Sequence, residues 1–273
     1  MIAQTIRMPR REFQPAVSVE FPFCRDNSTM ICRLLLRTLF FVLPALAGAE
    51  PLVAVDVGHG VKDSGAISAR GRSEFEFNGV LARQVADALR QRSLAVREIN
   101  FDGNIGSLMA RPAQAKGSDF FISIHHDSIS EAFLKPWVWE GVERTHTDVK
   151  RGYGIFVSRQ SPDLSTSLRC AVAIGSQMRS AGFVPTPWHA RKHQPADAEN
   201  GVWYYDHLVV LYRTTLPAVL FEAGVIKHQE EELELLDPAR QALMADVVAT
   251  GIAACLSVKE KSAPVSDPPQ SAP

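Results

Sequence analysis

No two cysteines in this chain stand in the C-x-x-C spacing that thiolate metal sites use, which sets aside a cysteine-held zinc ion. Cysteine is scarce altogether, with 4 among 273 residues. No internal repeat is visible, which excludes a solenoid. Basic residues are not in excess, and the formal net charge is −1 at pH 7. From residue 50 onward, 23 Lys and Arg face 27 Asp and Glu, a net charge of −4. A mildly acidic domain lacks the electrostatic footprint of a nucleic-acid binder. The longest apolar run near the start, Leu39–Leu46, is too short for a stable membrane span.

That run has another reading. From Met30 the chain reads MICRLLLRTLFFVLPALAGAE. Arg33 and Arg37 give a basic start, the apolar stretch follows, and Ala47-Gly48-Ala49 is a small-residue cleavage site. These are the three parts of a signal peptide over residues 30–49, so the protein is expected to be periplasmic or secreted. Residues 1–29 read as an unstructured or untranslated leader, with Met30 as an alternative start. Cys24 and Cys32 leave with the signal, while Cys170 and Cys255 remain. Export permits a disulfide between them. Their apolar helical setting equally suits two buried thiols, and the sequence leaves both open.

What is present is an ordinary globular composition, 46% hydrophobic and 22% charged, sufficient for one sizeable core. Beyond residue 50, short apolar runs alternate with helical patterns. Pro51–Asp56, Val96–Ile99, Phe120–His125, Tyr153–Ser158, Leu208–Tyr212 and Pro217–Phe221 read as strands. Phe77, Leu81, Val85 and Leu89 mark the core face of a helix over 74–92, opened by a Ser73/Glu76 capping box. Arg111–Lys116 reads as a short helix, and Leu164, Leu168, Val172 and Met178 mark a longer one. Asp237-Pro238 opens a last helix running to about Leu256. The pattern predicts a single α/β domain over 50–256, with a largely parallel twisted sheet flanked by helices. Residues 129–150 have no clear period and read as an insertion, 184–201 as a loop, and 257–273 as a disordered tail.

Polar residues at strand ends are candidates for chemistry, because the carboxyl ends of strands form the ligand crevice of an open α/β sheet. His59 follows the first strand, His125 ends the third, and Glu222 ends a late one. Glu74 lies in the first turn of the following helix, whose start returns to the same edge. Two neutral imidazoles and a carboxylate leave a fourth zinc position open for water, and the second carboxylate can serve as general base.

Four blocks in order then resemble one family. VAVDVGHGVKDSGAI (53–67), Glu74 before FEFNGVLARQVADAL, Leu108-x-x-Arg111 with SDFFISIHHD (118–127), and LPAVLFEAGVIKHQEEELEL (216–235) are similar to the catalytic domain of zinc-dependent N-acetylmuramoyl-L-alanine amidases, the Amidase_3 family. The resemblance covers about residues 52–256. It implies Zn2+ held by His59, Glu74 and His125, with Glu222 as the catalytic residue. It also implies peptidoglycan as substrate, cut between N-acetylmuramic acid and L-alanine. Val57, Val61 and Ala223 depart from the family pattern without removing a ligand. Rival readings are another zinc peptidoglycan peptidase and a non-catalytic peptidoglycan-binding relative.

His126 neighbours His125 on a strand and so points to the opposite face. Asp127 is placed either to orient a ligand histidine or to cap a loop. His189, His193 and His207 rim the cleft as solvated side chains, and His146 and His228 lie on the surface. Trp137 and Trp139 pack the insertion against the domain or stack on a sugar. Glu131, Glu140 and Glu143 make the insertion a candidate cap over the metal, with 184–201 as the alternative segment, and a regulatory activator protein would open such a cap.

Overall fold

A computed structural model describes residues 50–257. The leader, the signal segment, Cys24, Cys32 and the tail from residue 258 lie outside the described residues. Strands β1 (Leu52–Val57), β2 (Ala95–Ile99), β3 (Phe120–Asp127) and β9 (Ala218–Val225) lie parallel, in the order β2-β1-β3-β9. The sheet continues with β6 (Gly154–Val157), antiparallel to β9, then β8 (Val202–Tyr204) and β7 (Pro195–Asp197). A separate hairpin, β4 (Lys135–Trp139) and β5 (Val142–His146), occupies the 129–150 segment.

Alternation along the strands decides which side chains enter which layer. Val53, Val55, Val57, Phe120, Ile122, Ile124, Val219 and Phe221 all face one side. There they pack on α1 (Glu74–Arg90), α3 (Leu164–Ser180) and α6 (Pro238–Ser257). Each such side chain, buried on both flanks, contributes roughly 1.5–3 kcal/mol relative to exposure. Ala54, Phe121, Leu220 and Phe156 face the other side, against Val210 and Leu211 of the short α4 (Val209–Tyr212). Asp56, Ser123, His125 and Glu222 share the parity of that second, smaller face.

The capping box is present, with the Ser73 amide donating to Glu76 at 3.1 Å, and Asp237 caps α6 by accepting from the Arg240 amide at 2.8 Å. α6 is long and apolar enough to cross a membrane by composition alone, but it packs on α1 and α3 as a core helix. Cys170 and Cys255 are joined by a disulfide that ties α3 to α6 across 85 residues, with Cα atoms 5.1 Å apart.

Several expectations need correction. Leu208–Tyr212 is no strand: its core is the helix α4, whose Val210 and Leu211 are buried on one side only. A short apolar run carries no period by which to separate the two. The 184–201 segment holds a 3-10 turn, Pro187–Arg191, and β7. A further helix, α5 (Gln229–Leu236), precedes α6, and α2 (Ala110–Gln114) is one turn long.

Candidate metal centre and active site

The site is assembled where β1 runs out. Its last residues lead into Gly58, on which a Cβ would sit 2.3 Å from Nε2 of His125. Only glycine lets the third strand's imidazole lie against this turn. His59 follows with φ +63°, a left-handed conformation that costs a non-glycine residue roughly 1–2 kcal/mol. Two side chains hold it there. Asn100 donates Nδ2 to the carbonyls of Val57 (2.8 Å) and His59 (2.5 Å). The Arg111 guanidinium donates to the same His59 carbonyl while lying 3.8 Å from the carboxylate of Asp56. Burial lifts the Asp56 carboxyl to about 6, against the opposing pull of Arg111 and a hydrogen bond from Ser123.

Glu74 opens α1, 5% exposed, between the two histidines. Its Oε2 is 3.1 Å from His59 Nε2 and its Oε1 is 3.0 Å from His125 Nδ1. The Ala66 amide (3.1 Å) and Asn78 Nδ2 (3.3 Å) also donate to it. Burial would raise the Glu74 carboxyl, but the hydrogen bonds and charge of His125 and His59 hold it well below the usual carboxylate range. The reciprocal effect raises His59 despite its burial. Gly65, at φ +73°, keeps this pocket open, since a Cβ there would lie 2.5 Å from Glu74 Oε2.

The donor atoms of His59, Glu74 and His125 all fall within 4.8 Å of one another, a group that could hold a metal ion. A tetrahedral zinc with ligands at about 2.0–2.1 Å separates neighbouring donors by about 3.3 Å. Small side-chain rotations close that difference, so the residues fit the ion.

Glu222 stands directly opposite His125 in the β3–β9 register, so both point to the same face. The strand does not end there as the sequence reading expects; it runs on to Val225 past a register shift. Oε2 of Glu222 is buried without a hydrogen-bond partner among the described residues. Burial, with the nearby charges of Asp127 and Glu74, lifts this carboxyl well above its ordinary range, while Lys150 pulls the other way. A carboxyl so placed favours its protonated form more than an exposed one does.

His126 does point to the opposite face. It meets Phe77 of α1 and takes Asn78 Oδ1 at 2.8 Å, and burial pushes it down to about 3. Asn78 therefore links the carboxylate Glu74 to the back of the sheet, a role the sequence reading missed. Asp127 orients no ligand histidine. It pairs with the buried Lys150 and with His189 at 3.3 Å, and accepts from the Ser128 amide at 2.7 Å. His189 is buried rather than solvated, and His228 is buried as the cap of α5, accepting from the Glu231 amide at 3.2 Å. His207 is exposed and His193 half-buried. Neither periodicity nor spacing signals these burials, because both come from irregular segments.

The site opens into a cleft of about 660 Å³ walled by Leu108, Arg111, Leu208 and Val210. Glu131, Glu140 and Glu143 are absent from its lining, so they form no cap over the donors. The hairpin packs elsewhere: Trp137 donates to the Ala69 carbonyl at 3.1 Å, and the Arg70 guanidinium lies over Trp137 and Trp139.

A mostly parallel α/β sheet with two imidazoles and two carboxylates gathered at its carboxyl edge has the crevice and the donor set that hydrolytic chemistry needs. Residues 53–254 match the N-acetylmuramoyl-L-alanine amidase family, and the chain belongs to it. The chain is accordingly a peptidoglycan hydrolase, an enzyme that cleaves the amide between N-acetylmuramic acid and L-alanine. Among relatives, it is 27% identical to YqiI of Bacillus subtilis (strain 168) over 233 residues, covering 83% of this chain and 95% of that one. It is 28% identical to the endolysin of Bacillus phage SPP1, covering 77% and 68%. Among solved structures, the amidase of Clostridium difficile 630 superposes with TM-score 0.63 at 21% identity, over 78% of this chain and all of that one. The catalytic domain of the amidase CwlV from Bacillus (Paenibacillus) polymyxa gives TM-score 0.59 at 27% identity, covering 77% and 99%.

Proposed function

We propose that His59, Glu74 and His125 hold a zinc ion and that Glu222 is the base and acid of the amidase reaction. The observation that carries this is the placement of Glu222: in register with the ligand His125, buried, and with one carboxylate oxygen unbonded. Bound zinc supplies Lewis acidity and lowers the pKa of a coordinated water to about 7. Glu74 keeps both imidazoles turned inward, one on each oxygen. Glu222 takes the proton of the attacking water and delivers it to the L-alanine nitrogen as the C–N bond breaks. The products are a lactyl carboxylate on the glycan and a free peptide amine. The apolar wall of Leu208 and Val210 excludes water around the carbonyl.

Glu222→Ala is expected to keep its zinc and lose release of stem peptides from purified sacculi, followed by mass spectrometry. Near-normal turnover would remove Glu222 from this role. His59→Ala or His125→Ala is expected to abolish metal uptake, and full zinc content by elemental analysis would refute the ligand set. Peptidoglycan lies outside the cytoplasm, in keeping with residues 30–49 acting as a signal peptide and 50–256 as the catalytic domain. N-terminal sequencing of the exported protein checks this, and a mature end upstream of residue 45 would refute it. A regulatory activator protein remains part of the reading; CwlD of Clostridioides difficile, a structural neighbour with TM-score 0.56, is described in complex with the GerS lipoprotein.

A further inference from the structure

Glu222 does not stand at the end of the cleft. It also lines a second cavity of about 570 Å³, whose walls include Lys150, Trp188, His189, Arg191 and Lys192. The two cavities share Asp127, Ser128 and Glu222, so the proposed base stands where one passes into the other. Their linings differ in kind. The first combines Leu108, Leu208 and Val210 with Lys62 and with Arg111, the latter already committed to Asp56 and the His59 carbonyl, whereas the second carries three cationic side chains beside aromatic rings.

Two of those cations are uncommitted. Lys150 is buried, paired with Asp127, and donates to the Ser128 carbonyl at 2.8 Å. Arg191 and Lys192 are exposed and pair with no carboxylate among the described residues. Arg191 is held in place instead by its stacking, with its guanidinium 4.6 Å from the Trp188 ring and 5.4 Å from that of Phe133. A guanidinium fixed over rings keeps its edge free for a planar anion.

The direction of the reaction says which half of the substrate belongs here. A base that returns its proton to the leaving nitrogen must touch that nitrogen, so the peptide leaves past Glu222. A stem peptide carries carboxylates along its length and at its end. We propose that the second cavity is the stem-peptide subsite, with Arg191 and Lys192 binding a peptide carboxylate, which leaves the muramoyl side to the first cleft. This rests on the amidase reading and on Glu222 as its acid and base.

The test compares N-acetylmuramoyl tripeptides whose stem carboxylates are either free or fully amidated, using the zinc-loaded full chain. Lys192→Glu is the main variant, because that side chain is exposed and pairs with no carboxylate among the described residues, and thermal unfolding of the variant checks that the fold is kept. Reversing an exposed charge on a docked carboxylate is expected to raise KM about tenfold on the free-acid substrate. kcat should change little, and KM on the amidated substrate should stay the same. Added salt should shrink the wild-type preference for the free acid. Arg191→Lys, which keeps charge but loses the planar fork, is expected to fall between wild type and Arg191→Ala. An equal change on both substrates, or no change on either, would overturn the subsite. If wild type releases no L-alanine-ended peptide from either substrate, the amidase reading fails and the subsite fails with it.

Discussion

Substituting Gly58 by alanine separates metal binding from folding more sharply than removing a ligand does. The added Cβ would lie 2.3 Å from Nε2, 2.4 Å from Cε1 and 2.6 Å from Cδ2 of His125. Ordinary contacts need about 3.5 Å, so the ring must move by about 1 Å. The backbone at Gly58 lies outside the left-handed region, and alanine suits it there. The clash is thus with a side chain that can swing, and the stability cost should stay near the lower end of the roughly 1–3 kcal/mol seen for overpacking. Metal binding is less forgiving, because ligand distances tolerate only about ±0.2 Å. A shift of about 1 Å exceeds that several-fold. Zinc affinity is therefore expected to fall by at least the roughly 10–100-fold seen when supporting residues are lost. Chelator competition measures the affinity, and thermal unfolding of the metal-free protein measures the stability. In a His125→Ala background the same substitution should cost almost nothing, since the obstructing ring is gone. Wild-type zinc affinity in Gly58→Ala would refute the idea that the glycine exists to admit the imidazole.

Other expectations follow from the same geometry. Glu222→Asp draws the carboxylate back by about one methylene, and misplacement of about 1 Å costs roughly 100-fold in turnover; sacculus digestion at unchanged zinc content checks it, and full activity would contradict it. Replacing Cys170 and Cys255 by serine opens a loop of 85 residues and should cost up to about 4–5 kcal/mol by chain entropy, read from denaturant midpoints; an unchanged midpoint would show the bond is not formed. Asp56 has a folded pKa of about 6 against 3.8 for the free side chain. The folded state then holds the proton more tightly, so this group's contribution is fully present below about pH 4 and is lost as pH rises through 6. Asp56→Asn keeps an acceptor for Ser123 and should flatten the stability profile of the metal-free protein between those values. A profile that keeps its slope there would assign the titration to another group.

Much of this arrangement was legible in the residues themselves. The three strands that deliver the site, β1, β3 and β9, are almost wholly buried apolar runs, and each ends near a polar residue in a way no core requirement explains. That contrast marks His59, His125 and Glu222, while the Ser73/Glu76 box fixes the turn in which Glu74 sits. What stayed hidden depends on contacts between distant segments. Asn78 is an ordinary buried residue of α1 until His126, on the face of β3 that α1 covers, meets it. Asn100 and Arg111 look like loop and helix residues until they converge on the His59 carbonyl. His189 lies in a stretch of prolines and polar residues that reads as a solvated loop, yet Phe156 and Asp127 enclose it. The α4 segment failed for a different reason: with only Val210 and Leu211 buried, it is too short to display a helical period.

The register of one strand pair connects these pieces. Because β3 and β9 are parallel with His125 beside Glu222, the proposed ligand and the proposed base are separated by about one inter-strand spacing, roughly 4.8 Å. A slip of one residue would turn Glu222 into the α1 face and bring Phe221 or Ala223 to the metal edge. The sheet resists that slip through the burial of Phe221 and Val219 on one side and Leu220 on the other. The apolar residues that stabilise β9 are thus the same ones that aim its single carboxylate. The register shift beyond Glu222, where Asp127 meets Val225, falls after the pair is set and releases β3 toward Lys150 and the cationic cavity. Strand pairing therefore sets both the distance from His125 to Glu222 and the point at which the first cleft passes into the cationic cavity.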